Sequence, residues 1–133
     1  MARQFTLGKK ERLKSRKQID ALFKSGKRFV VPYFRVFFAL GPLSSTREEP
    51  LQAGFSASSR NFKTAVARNR IKRLTREAYR LQKNDLRQTL LEQNRSLDLF
   101  FIYTGRELPG YEQVLESIRL ALTRLIDINK KQN

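Results

Sequence analysis

Apolar positions along this 133-residue chain change period several times, and each change marks an element. Residues 1–14 show no regular period, with Phe5, Leu7 and Leu13 as packing points. Ser15 then stands where an N-cap is favoured, Ile19, Leu22 and Phe23 follow the i, i+3, i+4 spacing, and Gly26 supplies a stop. The spacing predicts a short helix over 16–24. Residues 29–40, Phe-Val-Val-Pro-Tyr-Phe-Arg-Val-Phe-Phe-Ala-Leu, are β-branched and aromatic and read as strand. Pro32 breaks the run or marks an edge, which places the main strand at 34–40. There Phe34, Val36, Phe38 and Leu40 face one side, and Arg35, Phe37 and Ala39 the other. Aromatics on both sides predict that both faces are covered. Residues 41–50 are loop by composition, and 51–57 form a second strand, with Gly54 where a neighbour approaches closely.

Residues 65–81 read as one helix with two faces. At about 100° per residue, Ala67, Ile71, Leu74, Ala78 and Leu81 share an arc that should be buried. Arg68, Lys72 and Arg76 stand four apart on another face with Tyr79 beside them, and Asn69, Arg73 and Arg80 form an adjacent row. Leu86, Leu90 and Leu91 predict a short helical segment within 84–96. Residues 97–103 are a buried third strand, and 104–110 a turn. A last amphipathic helix over 111–128 places Val114, Leu115, Ile118, Leu122, Leu125 and Ile126 on one side, and 129–133 form a frayed tail. The order α-β-β-α-β-α predicts an α/β (α+β) sandwich, a small central sheet with helices packed on it. One domain spans 1–133, with 1–14 as a basic irregular arm.

Charge sharpens this picture. The chain carries a net charge of +16 with a pI near 11.0. That is a statement about partners rather than fold. The cations cluster: ten lie between Arg3 and Arg28 against Glu11 and Asp20, and eight between Arg60 and Arg80 against Glu77. Like charges at i,i+4 on a helix cost roughly 0.2–0.5 kcal/mol per pair, so the helix over 65–81 reads as one that meets a polyanion. Nucleic acid is the leading partner; a merely solvated basic surface is the bland alternative. Histidine and cysteine are absent, which excludes zinc fingers, Ser-His-Asp triads, Cys-His dyads and disulfides. Asp20, Glu48, Glu49, Glu77, Asp85 and Asp98 show no carboxylate motif of a metal-dependent nuclease. No catalytic or metal-binding residue is assigned. No apolar run reaches the ~18 residues of a bilayer span, and the start lacks an apolar signal region, so the expectation is a cytoplasmic protein with no membrane partner.

The run Ala65-Val-Ala-Arg-Asn-Arg-Ile-Lys-Arg-Leu-Thr-Arg-Glu resembles the signature of the bacterial ribonuclease P protein subunit: Arg-Asn-Arg, an aliphatic residue, then Lys-Arg. The first helix, the aromatic strand, the strand with Gly54 and the strand opening at Asp98 lie in the family's order, so the resemblance covers residues 9–126. It implies the small partner of a catalytic RNA that removes the 5′ leader of precursor tRNA by hydrolysis. The chemistry and its magnesium ions would reside in the RNA, and the protein alone would be inactive. The implied fold is ribosomal-protein-like with a left-handed βαβ crossover, against the usual handedness. Implied partners are ribonuclease P RNA and precursor tRNA, with no obligate protein partner.

By position in the family, Arg68, Asn69, Arg70, Lys72, Arg73 and Arg76 would contact the RNA subunit, with Arg60 and Lys63 just before the helix. Asn69 has a second reading, as a structural tie from the helix start to a neighbouring loop. Ile19, Phe23, Arg35 and Phe37 would line a leader cleft between first helix and sheet, the two rings offering stacking surfaces or serving as plain core. Two departures stand out: Ile19 where the family often has an aromatic, and Ser59-Arg60 where it commonly has two basic residues. Lys14, Arg16, Lys17, Lys27 and Arg28 read as a general electrostatic field. Asp98 reads as a strand-end hydrogen-bonding group or a water-bridged metal contact. A ribosomal-type RNA binder without turnover and a helix-based DNA reader remain as alternatives.

Overall fold

The computed structural model describes residues 8–131. Phe5 and Leu7, and residues 132–133 of the expected tail, lie outside the described residues. A 3-10 turn at Lys9–Glu11 is followed by α1 (Arg16–Ser25), β1 (Lys27–Val31), β2 (Phe34–Pro42), β3 (Leu51–Ala57), α2 (Ala65–Gln82), α3 (Asn84–Glu92), β4 (Arg95–Tyr103) and α4 (Tyr111–Lys131). The strands form one sheet in the order β1-β2-β4-β3. β1 and β4 each pair antiparallel with β2, while β3 runs parallel to β4. The βαβ connection from β3 to β4 thus carries α2 and α3.

The architecture is the expected mixed sandwich, with corrections to the element order. Residues 27–31 form a strand of their own, because Pro32 and Tyr33 turn the chain back on itself and β1 pairs with β2 from Lys27↔Phe38 to Val31↔Phe34. Proline suits that turn, having no N–H to lose from a ladder. The frayed tail is corrected too: residues 129–131 are helical, and Arg95 Nη1 donates to the Asn129 carbonyl at 2.8 Å and to its Oδ1 at 3.0 Å. Within the expected irregular arm, Leu13 is buried and its N–H donates to the Ala53 carbonyl at 2.9 Å, which covers part of the β3 edge.

Two cores result, one on each face of the sheet. Phe34, Val36 and Phe38 of β2 join Leu97, Leu99, Phe101 and Tyr103 of β4 under α2, α3 and α4. On the other face, Phe37 and Phe100 pack with Leu22 of α1 and with Leu13, flanked by Ile19 and Ile102. Gly54 permits the second core, since a Cβ there would stand 2.6 Å from the Phe100 ring.

The buried arc of α2 differs from the expected one. Ile71 and Ala78 are buried as the pattern requires, but Thr75 and Tyr79 join them, Leu74 is half-buried and Leu81 is exposed. Tyr79 therefore does not sit beside the cations on the outer surface. Its ring packs on Phe55 at 5.5 Å and Phe101 at 5.8 Å. Thr75 is tolerated inside because its hydroxyl donates to the Ile71 carbonyl at 2.8 Å.

Candidate nucleic-acid interface

Helix α2 starts cleanly. Thr64 caps it, its Oγ1 accepting from Ala67 N at 3.2 Å. The buried arc turns two cation rows away from the core. Arg68, Lys72 and Arg76 lie along the flank, half-buried, while Asn69, Arg70 and Arg73 are exposed. Arg68 is partly used inside the fold, since its Nη1 donates to the Phe62 carbonyl at 2.7 Å. The Asn69 side chain forms no hydrogen bond among the described residues. The loop tie expected of it falls to Asn61, whose Nδ2 donates to the carbonyls of Thr104 at 3.3 Å and Gly105 at 3.1 Å. Arg60 and Lys63 are exposed on that same tied loop.

Lys72 and Arg76 open onto a groove of about 300 Å³, shared with Arg12, Lys14, Ile19 and Gly54. The Arg76 guanidinium lies 5.9 Å from the Phe55 ring centroid, and its Nε is buried without a hydrogen-bond partner. Burial, and then the charge of Arg12, hold its pKa below the ordinary arginine value. Positive charge is thus crowded at the groove and favours an incoming anion.

Several of the acids are held in ion pairs. Glu11 pairs with Lys83, Glu48 with Lys10 and Glu49 with Arg87. Glu77 holds Arg80 at 2.5 Å, which takes Arg80 partly out of the outer row. Asp98 pairs with Arg47 Nη2 at 2.8 Å, a structural bond between β4 and the β2–β3 loop. Among the described residues, no carboxylate comes within ion-pair distance of Arg70, Lys72, Arg73 or Arg76. The described residues also hold no group of three or more His, Cys, Asp or Glu able to bind a metal ion, and no helix long and apolar enough to cross a membrane.

The second candidate surface lies between α1 and the sheet. Phe23 retains 41% of its surface, and its ring stands 4.9 Å from Phe37 and 5.1 Å, edge-on, from Phe100. Phe37 is buried beneath it and Ile19 is half-buried at the side. Arg35 is exposed on the same sheet face, two residues along the strand from Phe37. Ile19, Phe23, Arg35 and Phe37 therefore share one face of the molecule, with Phe23 as the ring available to solvent. Phe100 belongs to this cluster and was not singled out from the sequence. Its signal is strand alternation: Phe100 pairs with Phe37, while its neighbour Phe101 pairs with Val36 on the opposite face.

Comparison with known proteins gives concordant matches. The family model described as Ribonuclease P matches residues 7–126. A ribonuclease P protein component of Porphyromonas gingivalis is 39% identical over 121 residues, covering 91% of this chain and 87% of that protein. One from Chlorobium phaeobacteroides is 35% identical, covering 85% and 83%. Among solved structures, the ribonuclease P protein of Thermotoga maritima superposes with a TM-score of 0.66 at 24% identity, covering 86% of this chain and 96% of that one. The Staphylococcus aureus protein gives 0.64 at 21% identity, covering 86% and 94%. At such identities these structures speak to the fold.

Proposed function

The chain belongs to the ribonuclease P protein family, and on that premise we propose that α2 docks ribonuclease P RNA while the α1–sheet cleft holds the 5′ leader of precursor tRNA. The observation that carries this reading is the cation row Arg68, Lys72 and Arg76 beside Arg70 and Arg73, set on a capped, well-anchored helix and largely left without carboxylates. Arginine forks there pair phosphate oxygens bidentately, and lysine adds a point charge. Arg60 and Lys63 extend the same field. In the cleft, Phe23 offers a ring face to an unpaired leader base, Phe37 and Phe100 back it, Ile19 closes the side, and Arg35 stands near the passing phosphates.

The protein's part is to hold and orient two RNAs. The hydrolysis and the magnesium ions that serve it belong to the RNA subunit, and the protein alone is inert. The reaction removes the 5′ leader and leaves a mature tRNA 5′ end.

The test is cleavage of a precursor tRNA at low magnesium by a bacterial ribonuclease P RNA, with and without this protein. Protein-dependent release of the leader, with no cleavage by the protein alone, is the expected result. Tight RNA binding without stimulation would replace the reading with a ribosomal-type RNA binder. Lys72→Glu should weaken binding and flatten its dependence on log salt by about one phosphate's worth, a slope change of about 0.7–0.9.

A further inference from the structure

The turn between β1 and β2 is made by Pro32 and Tyr33, and Tyr33 holds a φ of 70°. That left-handed conformation is disfavoured for a bulky side chain, and glycine or asparagine would adopt it more easily. Backbone strain of this kind persists only where the surroundings enforce it. Here Thr104 N donates to the Tyr33 carbonyl at 2.8 Å. The Tyr33 ring stacks on Tyr103, centroids 6.4 Å apart and planes 22° from parallel.

Tyr103 is a rigid backing. It is buried, its hydroxyl donates to the Glu107 carbonyl at 2.8 Å, and the Phe34 and Phe62 rings pack around it. Tyr33 itself stays 44% exposed. Cations surround this end of the sheet. Ser58 N donates to the Tyr103 carbonyl and Asn61 to those of Thr104 and Gly105, so the loop with exposed Arg60 and Lys63 is tied to residues 103–105, which lead into exposed Arg106 and reach the Tyr33 carbonyl through Thr104 N. Tyr103 belongs to the sheet face under α2 and α4, so this ring lies apart from the Phe23 cleft on the α1 face.

We propose that Tyr33 is a stacking platform for an unpaired RNA base, with Arg60, Lys63 and Arg106 placed for the adjoining phosphates. Aromatic rings flanked by cations bind single-stranded nucleotides in this way without needing a particular base. The proposal rests on the RNA-docking reading above and adds a contact to it. Two sources share the chemistry: an unpaired nucleotide of ribonuclease P RNA, or a leader nucleotide of the precursor.

The chain has no tryptophan, so Tyr33→Trp installs a single indole at the platform. Ribonuclease P RNA is titrated into this variant first, and precursor tRNA with its leader afterwards. Quenching of the indole and its protection from acrylamide by the first RNA assign the base to the RNA subunit; quenching only after the second assigns it to the leader. Tyr33→Ala should weaken binding of that RNA about 5- to 150-fold, the range of one stacked base, while Tyr33→Phe binds as the wild type does. Thermal melting identifies any loss of fold in Tyr33→Ala, in which case the indole decides. Unchanged emission with both RNAs saturating overturns the proposal, as does wild-type affinity of a folded Tyr33→Ala. Lys72→Glu run in parallel separates the two failures: weakened binding there with silent Tyr33 variants removes only the platform, and wild-type binding there removes the docking reading as well.

Discussion

The two faces of the sheet carry comparable aromatics and put them to different use. On one face, three helices cover Phe34, Phe38 and Phe101, all three buried, with Tyr33 exposed only at the turn that ends the sheet. On the other, one helix of 10 residues and Leu13 cover Phe37 and Phe100, and Phe23 lies over them half open. Arg35 and Val30 on that face stay exposed. The strands themselves do not distinguish the faces, since adjacent phenylalanines in β2 and β4 point to opposite sides. The helices do. A heavily covered face gives the sheet its rigidity, and that rigidity allows the thinly covered face to present aromatic surface without collapsing around it.

The contrast is most exposed to test at Phe101. Phe101→Ala should lose about 3–5 kcal/mol of stability in urea titration, since its site is enclosed on all sides. A loss no larger than that of Phe23→Ala would erase the distinction between the faces. Next in size is Lys83→Ala. Lys83 is buried and pairs with Glu11, holding the segment that delivers Leu13 to the thin face. Removing it should cost about 2–3 kcal/mol, below the 3–5 of fully buried pairs because Glu11 keeps some solvent contact. Amide exchange at Leu13 should accelerate more than at the centre of β4. Phe23→Ala should cost about 1 kcal/mol of stability, in line with aromatic pair energies, yet weaken leader-bearing precursors selectively. An equal loss for mature tRNA would refute the leader role.

The smallest effect concerns Tyr79. Burial first, then the charges of Glu11 and Glu49, hold its phenol well above the ordinary value of 10.0. The folded state therefore keeps a proton that the unfolded chain releases first. Stability from this group is intact below about pH 10 and declines as pH rises from there through the folded value. Tyr79→Phe should flatten that alkaline decline in urea midpoints while leaving neutral-pH stability within about 1 kcal/mol, because the hydroxyl has no hydrogen-bond partner to lose. An alkaline decline as steep as in the wild type would assign it to the lysines instead.

Much of this was legible in the chain. The strands at 34–40, 51–57 and 97–103 and the helix over 65–81 follow from period and residue type, and the Arg-Asn-Arg run carried the family. What escaped the sequence depended on partners distant along it. The α2 arc rotates by about 60° from the apolar pattern, at ~100° per residue. Tyr79 and Thr75 count as polar until a ring stack and an internal carbonyl receive them. β1 merged with β2 because a tyrosine occupies the left-handed turn position where glycine would have signalled a hairpin. Leu81, apolar by type, ends up exposed because the arc turned away from it.

The placement of β4 has a consequence for how the molecule comes into being. β2 and β3 follow one another in the chain but do not pair; β4 is inserted between them. Until residues 95–103 leave the ribosome, β2 has β1 beside it but β3 has no strand neighbour, and closing the parallel β3–β4 pair must wait for α2 and α3. No fragment ending before Arg95 can assemble this sheet. Helix α2 is made before β4, the strand that completes the sheet beneath it, so a nascent chain cannot present the finished α2 surface until residues 95–103 have emerged.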